Sequence, residues 1–408
     1  MERKIYGQSK RMDGVAYDIR GPVMDEAMRM ERQGEKIIKL NIGNPAPFSF
    51  FAPEQVLSDM ARQLHSSEGY SASNGLPEAR EAIVGYCRKK GIPNVGIDDV
   101  FTGNGVSELI TMTLQALLND GDEVLVPAPD YPLWSAAITL VGGKAVHYFC
   151  DEQQNWFPDI ADLRAKVTDR TRGIVVINPN NPTGALYPRE LLEQIVQVAR
   201  ENDLLLFADE IYDRLVMEGE PEHVALASLA PDLMTLSFNG LSKSHRVAGF
   251  RCGWVALAGD KSRASGYIQG INTLAKMRLC SNVPAQSIIA AALAQLPERD
   301  PAYCPGGRIW RQRELIWRAL NDIPGVSAVK PQASFYIFPR VDMARFHIRS
   351  DEQMALDLLK RQKILVTAGT GFHWPAHDHF RIVYLPEEGD LLAAAERFRA
   401  FFADYRQD

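Results

Sequence analysis

The chain has 408 residues, of which 46% are hydrophobic and 24% charged, and its net charge is −6. These fractions describe an ordinary globular protein with a large core, and with acids and bases interspersed and no long basic block, nucleic acid is not an expected partner. The polar N-terminus MERKIYGQSKRMDG has no apolar signal core and no apolar stretch is long enough to span a bilayer, so the expected setting is the cytoplasm, without membrane partners. The five cysteines, Cys87, Cys150, Cys252, Cys280 and Cys304, are odd in number and form no C-x-x-C pair. Reduced, mostly buried thiols are expected rather than a disulfide framework or a zinc site.

From about residue 22 the pattern alternates between helix and strand, which argues for an α/β architecture with a mostly parallel sheet. Val100-Phe-Thr102 reads as a strand that leads through Gly103-Asn-Gly105 into a helical run from Ser107 to Leu118. Gly173-Ile-Val-Val-Ile-Asn178 is a β-branched strand, followed by a Pro/Asn/Gly loop. Pro188 then opens a helix with Leu191, Ile195, Val198 and Ala199 on one face. Leu204-Leu-Leu-Phe-Ala208 is apolar throughout, as befits a strand covered on both sides. A strand–helix–strand unit of this size makes a right-handed crossover, so the two strands run parallel and Asn178 and Asp209 reach the same sheet edge. Ligands of open α/β sheets bind at that edge. Thr235-Leu-Ser-Phe238 is a further strand, leading into Asn239-Gly-Leu-Ser-Lys243. Beyond a boundary near 290–300 the pattern changes to a smaller α+β unit: a helix over Pro305–Leu320, short strands at Val326–Val329, Phe335–Phe338, Ile364–Val366 and Phe380–Val383, and a closing helix.

Several polar residues at these strand ends form a chemical set. Lys243 follows the small residues Gly240 and Ser242, with Arg251 eight positions on. A Schiff-base lysine needs an approach free of bulk, and a phosphate needs a fixed cation. Asp209 closes an apolar strand, where a carboxylate is costly to bury unless paired. It reads either as a cap or ion-pair partner or as the partner of a protonated ring nitrogen, which that carboxylate would keep charged. Asn178-Pro-Asn-Asn-Pro-Thr-Gly184 reads either as a tight connection or, at a strand end beside that of Asp209, as the loop that lets Asn181 hydrogen-bond a phenolic oxygen, with Tyr212 able to do so from the other side. Gly103-Asn-Gly-Val-Ser107 reads as a helix cap or, beside a phosphate, as an anion site made of amides and the Ser107 hydroxyl. Tyr131, in Ala128-Pro-Asp-Tyr-Pro132, fits equally a core position and a ring-stacking one.

ADEIY at 208–212, NPNNPTG at 178–184, LSK ending at 243 and GFRCGW at 249–254 together resemble the class I aminotransferases, over residues from about 15 to 404. YDIRGPV, LNIGNPAPF, APDYPLW and MRLCSNVPAQ are similar to the bacterial glutamate–pyruvate (alanine) aminotransferases within them. The resemblance implies a fold type I pyridoxal-phosphate enzyme: a large domain with a mostly parallel seven-stranded sheet sandwiched by helices, plus a smaller α+β domain. Its expected division is 1–50 as N-terminal arm and start of the small domain, 51–295 as the cofactor-binding domain, and 296–408 as the small C-terminal domain. It implies that Lys243 holds pyridoxal 5′-phosphate as a Schiff base and that Asp209 binds the pyridine nitrogen. Asn181 and Tyr212 bind the ring hydroxyl, and Tyr131 stacks on the ring. Gly105, Val106, Ser107 and Arg251 hold the phosphate, with help from Ser242. Tyr70 reaches the phosphate of a neighbouring subunit, which makes the active unit a homodimer. Arg381, in His379-Phe-Arg-Ile382, grips the substrate α-carboxylate with its bidentate fork, and Gly43 lines the substrate pocket through its backbone.

The implied reaction is ping-pong exchange between L-alanine and 2-oxoglutarate, yielding pyruvate and L-glutamate, with the freed Lys243 amine as general base. Glutamate needs a second cationic contact, and the candidate is Arg20 with Tyr17 beside it, in Ala16-Tyr-Asp-Ile-Arg20; an ordinary surface arginine on an arm is the competing view. Three departures stand out. Gly240 replaces a common phosphate-binding serine, His245 stands where a bulky or aromatic residue is common and is expected as an exposed loop histidine, and Ala333 occupies a position often held by glycine. The alternatives are transamination of another small or aromatic amino acid, or a lyase on the same fold. The sensing domain of a transcription regulator, a third reading, expects a DNA-binding domain ahead of residue 15, and the acidic balance argues against it.

Overall fold

The computed structural model describes residues 6–15, 21–294 and 299–407. Eight strands form its principal sheet: β1 (Val100–Asn104), β2 (Glu123–Ala128), β3 (Lys144–Asp151), β4 (Phe157–Pro158), β5 (Thr171–Ile177), β6 (Leu205–Asp209), β7 (Thr235–Gly240) and β8 (Cys252–Ala258). Their order is β1-β8-β7-β6-β5-β2-β3-β4. β2 pairs in parallel with both β3 and β5, and β5–β6–β7 continue in parallel, while β8 runs antiparallel to β7 and β1, and β4 antiparallel to β3. Seven strands make the expected sheet, and the eighth, β4, is a two-residue edge hairpin. The crossover partners are neighbours, with Gly173 opposite Leu205 and Ile177 opposite Asp209.

Local chemistry explains these elements. β5 from Gly173 and β6 up to Ala208 are covered on both faces, which is why their sequences run apolar there, while the equally buried β7 alternates apolar Leu236 and Phe238 with Thr235, Ser237 and Asn239. Between β5 and β6 the helix Arg189–Glu201 starts after Pro188 and buries Leu191, Leu192, Ile195, Val196, Val198 and Ala199. On the other face Trp134 meets Phe207 and Phe238 edge-on, with ring centroids 5.8 and 5.3 Å apart.

The strand Phe380–Val383 has the expected bounds, while those at 326, 335 and 364 are shorter than the apolar runs suggest. Tyr336–Ile337, Phe380–Val383 and Thr367–Ala368 form an antiparallel three-stranded sheet, and Ile38–Lys39 pairs in parallel with Ile364–Leu365. Val326–Ser327 pairs with Arg340–Val341. The helix expected from Pro305 begins at Arg308, because Gly306 takes a positive φ of 82° and Gly307 is the N-cap. The closing helix spans Glu388–Asp404. No helix among the described residues is long and apolar enough to cross a membrane.

Candidate active site

Five strand ends and one loop meet at a single edge of the large sheet. Asn181 follows β5, Asp209 ends β6, and Ser242 and Lys243 sit in the one-turn helix Leu241–Ser244 that follows β7. Gly105 follows β1 and caps the helix Val106–Leu117 with φ 78°. β8 runs the opposite way, so its beginning lies at the same edge: Cys252 is opposite Asn104 and Gly253 opposite Gly240. Arg251, immediately before it, therefore arrives beside the helix N-terminus.

These ends enclose a cavity of about 280 Å³ lined by Gly43, Val106, Ser107, Tyr131, Asn181, Asp209, Tyr212, Ser242, Lys243, Arg251 and Arg381. Gly105 abuts it, since a Cβ there would lie 2.8 Å from Arg251 Cζ. Tyr70 is 82% exposed and does not line the cavity of the single chain. Tyr17 and Arg20 lie outside the described residues.

The polar groups are held tightly. Lys243 Nζ donates to Gly43 O at 2.7 Å and lies 5.8 Å from the Phe335 ring centre. Asp209 is 3% exposed, and its Oδ2 accepts the indole N–H of Trp134 at 3.0 Å. Burial pushes its carboxyl up to about 6 although the Trp134 bond pulls the other way. Tyr212 and Tyr336 share a hydroxyl–hydroxyl hydrogen bond of 2.9 Å, and burial raises the Tyr212 phenol well above its ordinary range. Arg381 donates to Asn181 Oδ1 at 3.0 Å and to the carbonyl of Asn41. Its guanidinium carbon lies over two rings, 4.7 Å from the Tyr336 centre and 4.6 Å from that of Phe372. Arg251, at φ 58°, donates to Ala248 O at 2.9 Å and to Asn104 O at 3.3 Å, which fixes its fork beside the amides of Val106 and Ser107.

Two departures in the sequence have structural reasons. Gly240 has no room for a side chain: a Cβ would lie 2.6 Å from Cys252 O and 2.9 Å from Gly253 Cα, where β7 and β8 approach closely. The expectation of an exposed His245 is wrong. It is 3% exposed, with Nε2 against Ala292 O at 3.0 Å and Nδ1 against Ser244 Oγ at 2.9 Å. The short helix ends beneath the cavity and directs the imidazole into the protein, where burial lowers its basicity. His245 does not line the cavity.

Three neighbours were not read from the sequence. Trp134 stands three positions past Tyr131, Tyr336 lies in an apolar run that reads as core, and Asn41 acts through its carbonyl. Only Trp134 carried a signal, an indole two helical positions into a polar loop's exit.

The model of the family "Aminotransferase class I and II" matches residues 35–398. The chain is 54% identical over 400 residues to the glutamate-pyruvate aminotransferase AlaA of Escherichia coli K12, covering 98% of each. It is 54% identical over 406 residues to the alanine aminotransferase of Mycobacterium tuberculosis H37Rv, covering 99% of this chain and 94% of that one. A crystal structure of an aminotransferase from Escherichia coli superposes with a TM-score of 0.98 at 53% identity, covering 99% of this chain and 100% of that one.

Proposed function

The chain belongs to the class I and class II aminotransferases, and on that premise we propose that it exchanges amino groups between L-alanine and 2-oxoglutarate, giving pyruvate and L-glutamate. The observation that carries this reading is the cavity itself: one lysine, one buried carboxylate and one arginine set over two rings converge there, in a chain 54% identical to a glutamate-pyruvate and to an alanine aminotransferase.

Pyridoxal 5′-phosphate is the cofactor of this family, and the cavity fits it. Asp209 is a buried carboxylate with no ion-pair partner among the described residues, which suits a protonated ring nitrogen. The helix N-terminus at Val106 and Ser107, with Arg251 beside it, suits a phosphate. When bound, the cofactor supplies an aldehyde for the substrate amine and a protonated ring that withdraws electrons from Cα. In this reading Lys243 would anchor the cofactor and, once released, its Nζ would hold and carry the proton taken from the substrate Cα. Its 2.7 Å bond to Gly43 O holds the amine over the cavity rather than in solvent. Asn181 and Tyr212 hold the ring hydroxyl, Tyr131 covers the ring, and Gly105 and Ser242 complete the phosphate shell. Arg381 takes the α-carboxylate of both substrates, with Gly43 shaping the pocket beside it. Arg20 and Tyr17 take the second carboxylate of glutamate.

The same reading makes the active unit a homodimer in which the exposed Tyr70 reaches the neighbouring subunit's phosphate. It divides the chain at 50 and 295; the C-terminal cluster of Ile309, Phe346, Leu358 and Phe398 also takes in Leu40, Phe50, Tyr212, Leu215 and Met217, so the two units pack against each other through a shared apolar core. A cytoplasmic setting is supported by five free cysteines. The test is the absorbance of the cofactor-loaded protein before and after L-alanine, with no acceptor present. Conversion of the cofactor to its amine form with one pyruvate per site is expected. A spectrum that ignores alanine but responds to another amino acid replaces the substrate, and release of pyruvate from cysteine-like substrates without any acceptor indicates a lyase.

A further inference from the structure

Arg381 owes its position to something outside the cavity. Phe372, which supports one face of its guanidinium, ends the turn Gly369–Phe372, and the next residue, His373, sits at φ 55°. A left-handed residue other than glycine persists only where its surroundings hold it. Asp130 supplies that hold. Its backbone N–H donates to Phe372 O at 2.9 Å, and its Oδ1 lies 2.7 Å from His373 Nδ1. Its Oδ2 accepts the Ser135 hydroxyl at 2.7 Å, and Ser135 Oγ lies 2.9 Å from His147 Nε2. The carboxylate is fully buried. Burial opposes its charge, but His147, whose Nε2 lies 3.6 Å from Oδ2, and the hydrogen bond to His373 keep it below the usual carboxylate range.

We propose that Asp130 and His373 are positioning residues for the substrate α-carboxylate: their pair locks the 369–373 turn, and with it the Phe372 ring on which Arg381 rests. This rests on the reading of Arg381 as the carboxylate grip. Asp130 directly precedes Tyr131, so one buried acid ties the ring-covering wall to the arginine-bearing wall. Asp130, His147 and His373 have ligand atoms within 4.8 Å of one another, the spacing of a metal site. Here the two imidazoles are instead stacked, with centroids 4.7 Å apart and planes 22° off parallel, so their in-plane lone pairs do not converge on one ion. The geometry is that of a hydrogen-bonded clamp.

His373→Ala removes the donor to Asp130, and His373→Asn restores an N–H where Nδ1 was. In the cofactor-loaded enzyme, His373→Ala is expected to raise KM for L-alanine and 2-oxoglutarate together by about tenfold, the size of one lost charge-assisted hydrogen bond. Calorimetry with propionate, a carboxylate that cannot react, should show the same loss, while kcat stays within about twofold and His373→Asn recovers KM to within about threefold. KM unchanged in His373→Ala, kcat falling as far as KM rises, or His373→Asn performing no better than alanine would each overturn the proposal. If His373→Ala does not fold, Ser135→Ala decides: a rise in KM of about threefold at constant kcat supports the clamp, and an unchanged KM rejects it. Failure of the wild-type protein to react with alanine would instead sink the functional reading beneath it.

Discussion

The floor of the cavity and its outer wall are built differently. The floor consists of strand ends: Asn181, Asp209, Lys243 and Arg251 each sit within a few residues of a strand whose partners are hydrogen-bonded along its length. Their positions follow from the sheet. The wall consists of residues remote in sequence: Gly43 from the N-terminal part, and Tyr336 and Arg381 from neighbouring strands of the small antiparallel sheet, which reach the floor through pairwise contacts, a carbonyl for Lys243, a hydroxyl pair with Tyr212 and an amide oxygen of Asn181 for the guanidinium. On the proposed reading the floor would hold the cofactor and carry Lys243, and the wall would serve recognition. Substitutions should therefore divide into those that stop the reaction and those that change what enters it.

Lys243→Ala should have the largest effect. Loss of both anchor and proton carrier is expected to reduce turnover by at least about 10⁴-fold, with every amino donor affected alike; measurable turnover in single-cycle spectra would break the division. Next is Asp209→Asn, expected to cost about a hundredfold or more in kcat. The same change should stabilise the cofactor-free protein. Burial raises this carboxyl from its ordinary 3.8 to about 6, so its folded state binds a proton more tightly than its unfolded state. Its contribution to stability is then fully present below about pH 4 and is lost as pH rises through about 6, a difference of roughly 3 kcal/mol. Denaturant melts of the cofactor-free variant and wild type should coincide near pH 4 and separate by that order at pH 8, with the variant the more stable. A gap that is absent or reversed at pH 8 would show that Asp209 is not strained by burial.

Substitutions at residues proposed for recognition should act on binding. Arg20→Ala is expected to raise KM for glutamate and 2-oxoglutarate by about tenfold while alanine changes less than about twofold, the cost of one unpaired carboxylate; equal losses for both would remove Arg20 from the pocket. Tyr70→Phe should have the smallest effect, a roughly fivefold weaker hold on the cofactor from one lost hydrogen bond, with kcat at saturating cofactor unchanged. Equilibrium dialysis of the cofactor measures it, and an unaltered affinity would separate Tyr70 from the phosphate.

The same contrast explains what could be read from the sequence. Floor residues announce themselves because apolar β-branched runs mark strands and polar residues at their ends mark an edge, so Asp209, Asn181 and Lys243 were legible in their motifs. Arg251 was legible beside Lys243, but its arrival at the same edge depends on β8 running antiparallel, a fact of pairing that no local pattern encodes. Tyr336 was hidden because an aromatic in SFYIF looks like core, and it is indeed 2% exposed. His245 was misjudged because a polar loop residue can turn inward once a helix ends early. The strand Phe380–Val383 was legible to the residue, but the other C-terminal strands were overestimated in length, since apolar residues that pack in a core need not extend a ladder.

Gly240 and Gly253 carry a consequence for how such an enzyme can change over generations. A Cβ at Gly253 would lie 2.6 Å from the Val106 amide nitrogen, and Gly240 is as closely hemmed by Cys252 and Gly253. The backbone beneath the phosphate pocket has no spare volume, so that region can accept almost no novelty. Diversification of substrate has to be written elsewhere, in the segments around Gly43, Tyr336 and Arg381, where Gly43 is hemmed by the side chains of Tyr336 and Phe335 rather than by main chain. Inheritance of the chemistry and invention of new specificity are thereby assigned to separate stretches of one polypeptide.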